Sequence, residues 1–146
     1  ADPERAACWA ASFEAGRPRP VTGALDTLMA GLACGEVSLL AWEILQDHAD
    51  AVLTVPDAAA IAMMRQLAFP TGGDAPIVAG ESAVAGLAGL QAAMADAEAR
   101  QTLKLDARSR VLVFGTEGDT DPELYQTIVG AAAATIRNPN EALDVR

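Results

Sequence analysis

The sequence predicts an α/β fold, a parallel sheet flanked by helices, and three observations carry that expectation. Three short runs, 51–55, 77–79 and 110–114, are apolar and rich in β-branched residues, as strands covered on both faces are. Helix-compatible segments separate them, and that alternation is the pattern of parallel βαβ units. The chain has 146 residues, 51% hydrophobic and 21% charged, enough apolar material for one packed domain and too much for a disordered tail. Three strands are few for an open sheet. No internal repeat or linker is evident.

Residues 4–14 are Ala-rich, with Trp9 and Phe13 four apart on one helix face. Gly16-Arg17-Pro18-Arg19-Pro20 ends that helix, because proline cannot continue it. Residues 25–33 read as a second helix stopped by Gly35. Ser38 is placed to cap a third, over 39–48. The strand 51–55 leads through Pro56 to a helix with Asp57 as N-cap, where Ile61, Met64 and Ala68 recur at helical spacing. Its methionines read as core filler. After the loop 69–74 and the strand 77–79, Gly80-Glu81-Ser82 turns into a helix reaching about residue 95. Gly86 and Gly89 within it are poor helix formers, so a neighbouring backbone is expected to approach there. A short helix covers 97–103. The run 110–114 reads as the clearest buried strand. Asp121-Pro122-Glu123 starts a final helix, with Asp at N-cap, Pro at N1 and an acid in the first turn. That helix runs to about residue 136, and 137–146 read as a flexible tail.

Alanine fills 33 positions and aromatics only 4%, so the core must rely on close approach of elements rather than on large side chains. Ten basic residues stand against twenty acidic ones, a net charge of -10. A polyanion would be repelled, which argues against nucleic acid and anionic membranes as partners. Only one basic residue is a lysine, Lys104. Cys8 and Cys34 form no disulfide framework and share no metal-ligand spacing with His48, the one histidine. Two reduced, mostly buried thiols without a signal peptide suggest a cytoplasmic protein. His48 reads as a surface group at a helix C-terminus.

Open α/β sheets bind ligands at the C-terminal ends of their strands. Two loops fall there, Gly80-Glu81-Ser82 and Gly115-Thr116-Glu117-Gly118-Asp119. Each offers glycine for tight turning, a carboxylate and a hydroxyl, and each opens a helix whose amides favour anions. Both also fit ordinary strand-to-helix turns. Glu117, Asp119 and Asp121 have the oxygens for Mg²⁺, although a solvated turn uses the same residues. Arg17 and Arg19 suit a phosphate or a solvated loop. Ser82 has no nearby histidine to activate it as a nucleophile. Neither GxxxxGK[ST] nor GxGxxG is present.

The run Thr27-Leu28-Met29-Ala30-Gly31-Leu32-Ala33-Cys34-Gly35-Glu36, with Trp42-Glu43-Ile44-Leu45 beyond it, resembles a signature stretch of diaminopropionate ammonia-lyases. Val78-Ala79-Gly80-Glu81-Ser82 followed by Gly86-Leu87 resembles the family's GES segment, and Thr116-Glu117-Gly118-Asp119-Thr120-Asp121 resembles its TEGDTD motif. The resemblance spans about residues 1–130. It implies a partial tryptophan-synthase-β-like domain (fold type II) that uses pyridoxal 5′-phosphate to eliminate ammonia from 2,3-diaminopropionate, leaving pyruvate. It also implies a small amino-acid substrate and a homodimer.

By the same resemblance, the Schiff-base lysine and the phosphate-cradling loop belong to a preceding segment, not to Lys104. The 146 residues are then the C-terminal part of a longer enzyme, an incomplete domain expected to be inactive alone. The cofactor-binding residues it implies are Gly31, Glu81, Ser82, Gly115, Thr116 and Glu117. Gly31 would let backbone pass close to the ring, Glu81 would lie near the pyridine edge, and Thr116 would offer a hydroxyl to the pyridine nitrogen. The chain departs from the pattern at Gly115, where relatives can carry serine, and at Ala83-Val84-Ala85, where Gly-Ala-Val is expected. Two other readings remain open from the residues: a non-catalytic α/β binding or dimerisation module, and an acidic Mg²⁺-binding, phosphoryl-handling domain.

Overall fold

Seven α-helices and a two-stranded parallel ladder make up the computed structural model, which describes residues 1–138. In chain order they are β1 (Asp2–Pro3), α1 (Cys8–Ala15), α2 (Leu39–Leu45), β2 (Thr54–Val55), α3 (Asp57–Ala68), α4 (Ala85–Ala95), α5 (Ala97–Thr102), α6 (Pro122–Val129) and α7 (Ala133–Arg137). Single 3₁₀ turns lie at Glu4–Ala6 and Ala30–Leu32. The α/β class holds, and its sheet is parallel, with Asp2 opposite Thr54 and Pro3 opposite Val55.

The sheet is smaller than the sequence suggests. Of the run 51–55 only Thr54 and Val55 pair, and their partner is β1, at the Ala1-Asp2-Pro3 segment that resembles a strand exit of the family. Residues 77–79 and 110–114 join no ladder. A strand needs a neighbour to take its amides and carbonyls, and the described residues place none beside 110–114. Far from being buried, Leu112 is 78% and Phe114 77% exposed. Val113 is exposed too, at 37%, with its Cγ1 3.2 Å from where a Cβ on Gly86 would stand.

The helices differ mainly at their ends. The helix expected over 4–14 splits into the 3₁₀ turn and α1, because Asp2 acts from outside: its Oδ2 accepts the Trp9 and Ala10 amides at 2.9 and 3.1 Å. The helix expected over 25–33 shrinks to the 3₁₀ turn, with Leu25 at φ +47° preventing regular helix before it. Ser38 does cap α2 through the Ala41 amide, and α2 stops at Leu45. Pro56, not Asp57, holds the N-cap position of α3. That frees the Asp57 carboxylate to reach across the fold, accepting from the Thr27 hydroxyl at 2.5 Å and the Leu28 amide at 2.9 Å. The final helix is broken in two by Gly130 at φ +84°, a left-handed C-cap. Residues 139–146 of the expected tail lie outside the described residues. Arg137, placed in that tail by the sequence, is instead the last residue of α7.

The core lies between α3, α4, α6 and β2. Val55, Met63, Met64, Val84, Tyr125 and Ile128 are buried there, and Ala60, Ala68, Ala85 and Ala88 fill the spaces between helices. The expected reliance on close approach is met directly at Gly89, where a Cβ would sit 3.1 Å from Ala1 Cβ. A second, smaller cluster gathers Cys8, Val37 and Trp42, with Trp9 and Phe13 packed on it. Its three rings stand 5.1–6.3 Å apart by centroid at tilted angles favoured by aromatic quadrupoles. Of the two free thiols Cys8 is buried, while Cys34 is exposed, against expectation, at the edge of the Ala30–Leu32 turn.

Candidate functional site

Three loops meet at one junction. The first carries Gly31, the second Gly80-Glu81-Ser82 and the third Gly115–Asp119. Ser82 Oγ accepts the Gly31 amide at 2.9 Å. The Ser82 amide donates to Glu117 Oε2 at 2.9 Å, and the Gly80 amide donates to the Glu117 carbonyl at 3.1 Å. Residues 51 and 35 positions apart in sequence are thereby tied through Ser82.

The approach of the second and third loops requires glycine. A Cβ on Gly80 would stand 2.3 Å from the Gly118 carbonyl oxygen and 2.7 Å from Glu117 Cγ. Gly31 is close-packed in the same way, with Ser82 Oγ 3.0 Å from its missing Cβ. Beside the junction runs an open groove lined by Ser82, Ala83, Gly86, Phe114 and Thr116. Gly115 stands between the lining residues Phe114 and Thr116, and a Cβ on it would be 3.9 Å from Ala83 Cβ. The groove thus presents two hydroxyls among apolar groups, with no lysine or arginine along its lining.

Glu81 lies on the buried side of the turn, only 8% exposed. Burial pushes its carboxyl above the ordinary carboxylate range, and the negative charges of Glu117 and Asp121 add to the shift. The native state therefore holds a proton that the unfolded state releases near pH 4.5. Stability falls as pH rises from that value through the raised native one, and the full penalty stands above it. Glu81→Gln is expected to remove this slope: thermal midpoints should match the parent near pH 4 and exceed it at pH 7. Parallel melting curves of parent and variant across that range would contradict the assignment.

Of the sequence-derived set, the structure joins Gly31, Ser82 and Glu117 by hydrogen bonds, carries Glu81 on the second loop beside Ser82, and puts Thr116, with Gly115 before it in the chain, on the adjoining groove. The Glu117 carboxylate is committed to the Ser82 amide, an internal tie the sequence did not suggest. The proposed Mg²⁺ trio is likewise engaged: Asp119 pairs with Arg137, and Asp121 caps α6 through the Leu124 amide at 2.9 Å. Among the described residues no three His, Cys, Asp or Glu side chains are grouped to hold a metal. Two residues were missed. Gly80 was legible as a turn glycine but not as a contact point. Arg137 carried no signal beyond a basic residue in a last helical turn. Lys104 lies apart from the junction, exposed at φ +54°, lining a different groove with Ala97, Arg100 and Asp106.

The family model described as pyridoxal-phosphate dependent enzyme matches residues 1–117. The Escherichia coli diaminopropionate ammonia-lyase is 41% identical over 132 residues, and that of Salmonella typhimurium 38% over 134. Each alignment covers 88% of this chain and 33% of the relative, so the chain spans about a third of the length of the curated relatives it matches. A solved structure of the E. coli enzyme, in complex with an aminoacrylate-PLP azomethine reaction intermediate, superposes with a TM-score of 0.75 at 37% identity, again over 88% of this chain and 33% of that one.

Proposed function

This chain belongs to the pyridoxal-phosphate dependent enzyme family, and on that premise we propose that it forms one wall of the cofactor site in an ammonia-lyase acting on 2,3-diaminopropionate. The observation that carries the reading is the three-loop junction beside the hydroxyl-bearing groove, built from the segments whose relatives act on that substrate by name.

The groove fits the ring edge of pyridoxal phosphate and not its phosphate. It offers Thr116 and Ser82 hydroxyls among apolar groups but no basic side chain, whereas phosphate recognition calls for positive charge or an amide cradle. When bound, the cofactor supplies the electron sink that lets an α-proton and a β-amino group be lost. Thr116 would give a neutral hydroxyl to the pyridine nitrogen, which leaves the ring less electron-withdrawing than a carboxylate partner would. Gly31 and Gly115 would allow close approach of backbone. Glu81, its carboxyl pushed upward by burial, would lie behind the ring edge. The lysine and the phosphate-binding loop are assigned to the two thirds of the relatives' length that this chain does not match.

A homodimer in the cytoplasm is part of the same reading. No helix among the described residues is long and apolar enough to cross a membrane. The test is pyruvate release: the enzyme carrying this chain is expected to form pyruvate and ammonia from 2,3-diaminopropionate, while the 146 residues alone with added cofactor form none. Turnover by the chain alone, or turnover of other amino acids in its place, would overturn the reading.

A further inference from the structure

We propose that Arg137 is a positioning residue for the cofactor site: through Asp119 it holds the turn from which Glu117 fixes Gly80 and Ser82. The inference rests on the site reading above and adds a residue outside both the family match and the groove. The Arg137 guanidinium engages both oxygens of Asp119, Nη1 with Oδ2 at 3.3 Å and Nη2 with Oδ1. A fork of this kind fixes direction as well as distance. The same Nη2 lies 3.9 Å from where a Cβ on Gly118 would stand, so the group rests against the turn itself.

From Gly118 the contacts continue inward. Glu117, the preceding residue, holds the Gly80 amide with its carbonyl and the Ser82 amide with its carboxylate. Ser82 in turn holds Gly31. Arg137 is anchored at its other end, because Ile136 beside it is buried in the main core and α7 packs on α6. A continuous path therefore joins α7 to all three loops. Nothing else among the described contacts braces Asp119 from outside its own loop.

The pair is partly exposed, with Arg137 52% and Asp119 23% accessible at their side chains. Ion pairs of that kind add little to global stability. Removing Arg137 should therefore loosen the turn without unfolding the protein. Lysine keeps the charge but not the fork, so Arg137→Lys should only partly restore the brace.

The test is hydrogen exchange followed by mass spectrometry on the enzyme carrying this chain, with and without pyridoxal phosphate. In Arg137→Ala the peptide over 78–84 is expected to exchange about tenfold faster by local opening, with the global melting midpoint nearly unchanged. Cofactor affinity should weaken by a similar factor. Arg137→Lys should fall between, and Asp119→Asn should reproduce the loss. Should Arg137→Ala fail to fold, the lysine and asparagine variants decide. A parent that binds cofactor while these variants leave exchange and affinity unchanged overturns the proposal alone. A parent that binds no cofactor overturns the site reading and the proposal with it.

Discussion

Gly80→Ala is expected to be the most damaging single methyl group that can be added to this protein. Its new carbon would lie 2.3 Å from the Gly118 carbonyl oxygen and 2.7–2.8 Å from two atoms of Glu117. The carbonyl belongs to backbone and cannot swing away like the end of a side chain. The second and third loops must separate, and the Gly80–Glu117 and Ser82–Glu117 hydrogen bonds go with them. Overpacking of this kind costs about 1–3 kcal/mol, and stranding buried partners of broken hydrogen bonds adds about 1–3 kcal/mol more. At this chain length the sum corresponds to a fall in melting temperature on the order of 10 °C. Gly118→Ala is the matched comparison. It sits on the same turn, yet its Cβ would meet only Arg137 Nη2 at 3.9 Å. Near-neutral melting is expected there, and equal melting temperatures for the two variants would show that the loops do not approach as described. Cofactor binding should be lost in the first variant and kept in the second.

Local chemistry was legible in the sequence wherever one residue type answers one backbone need. Ser38 and Asp121 cap α2 and α6 as their positions indicate. Gly86 and Gly89 mark close approaches, although of the Val113 and Ala1 side chains rather than of backbone. The two motif loops meet, with Gly31, Ser82 and Glu117 hydrogen-bonded where they do. What escaped depends on partners distant in sequence. The ladder pairs residues 52 positions apart and is two residues long, too short for any periodic signal. Asp57 reads as an N-cap until Thr27 and Leu28 are seen across from it. Gly130 was absorbed into a long helix because one glycine does not distinguish a weak helix position from a left-handed stop. The run 110–114 has the composition of a buried strand, but burial needs neighbours that composition does not provide.

Lys104 bears the largest functional expectation. A pyridoxal-phosphate lyase stalls without its Schiff-base lysine, and this chain has one lysine. That residue is exposed in the turn after α5, at φ +54°, in a groove sharing no lining residue with the one that holds Ser82 and Thr116. Lys104→Ala in the assembled enzyme should therefore leave turnover within about twofold of the parent, whereas loss of a true covalent lysine removes several orders of magnitude. The most direct measurement is to reduce the cofactor-loaded enzyme with borohydride and map the pyridoxyl-labelled lysine by peptide mass spectrometry. A label outside these 146 residues is the expected result. A stoichiometric label on Lys104 would contradict the account, because this chain would then hold the reacting group rather than one wall of its site.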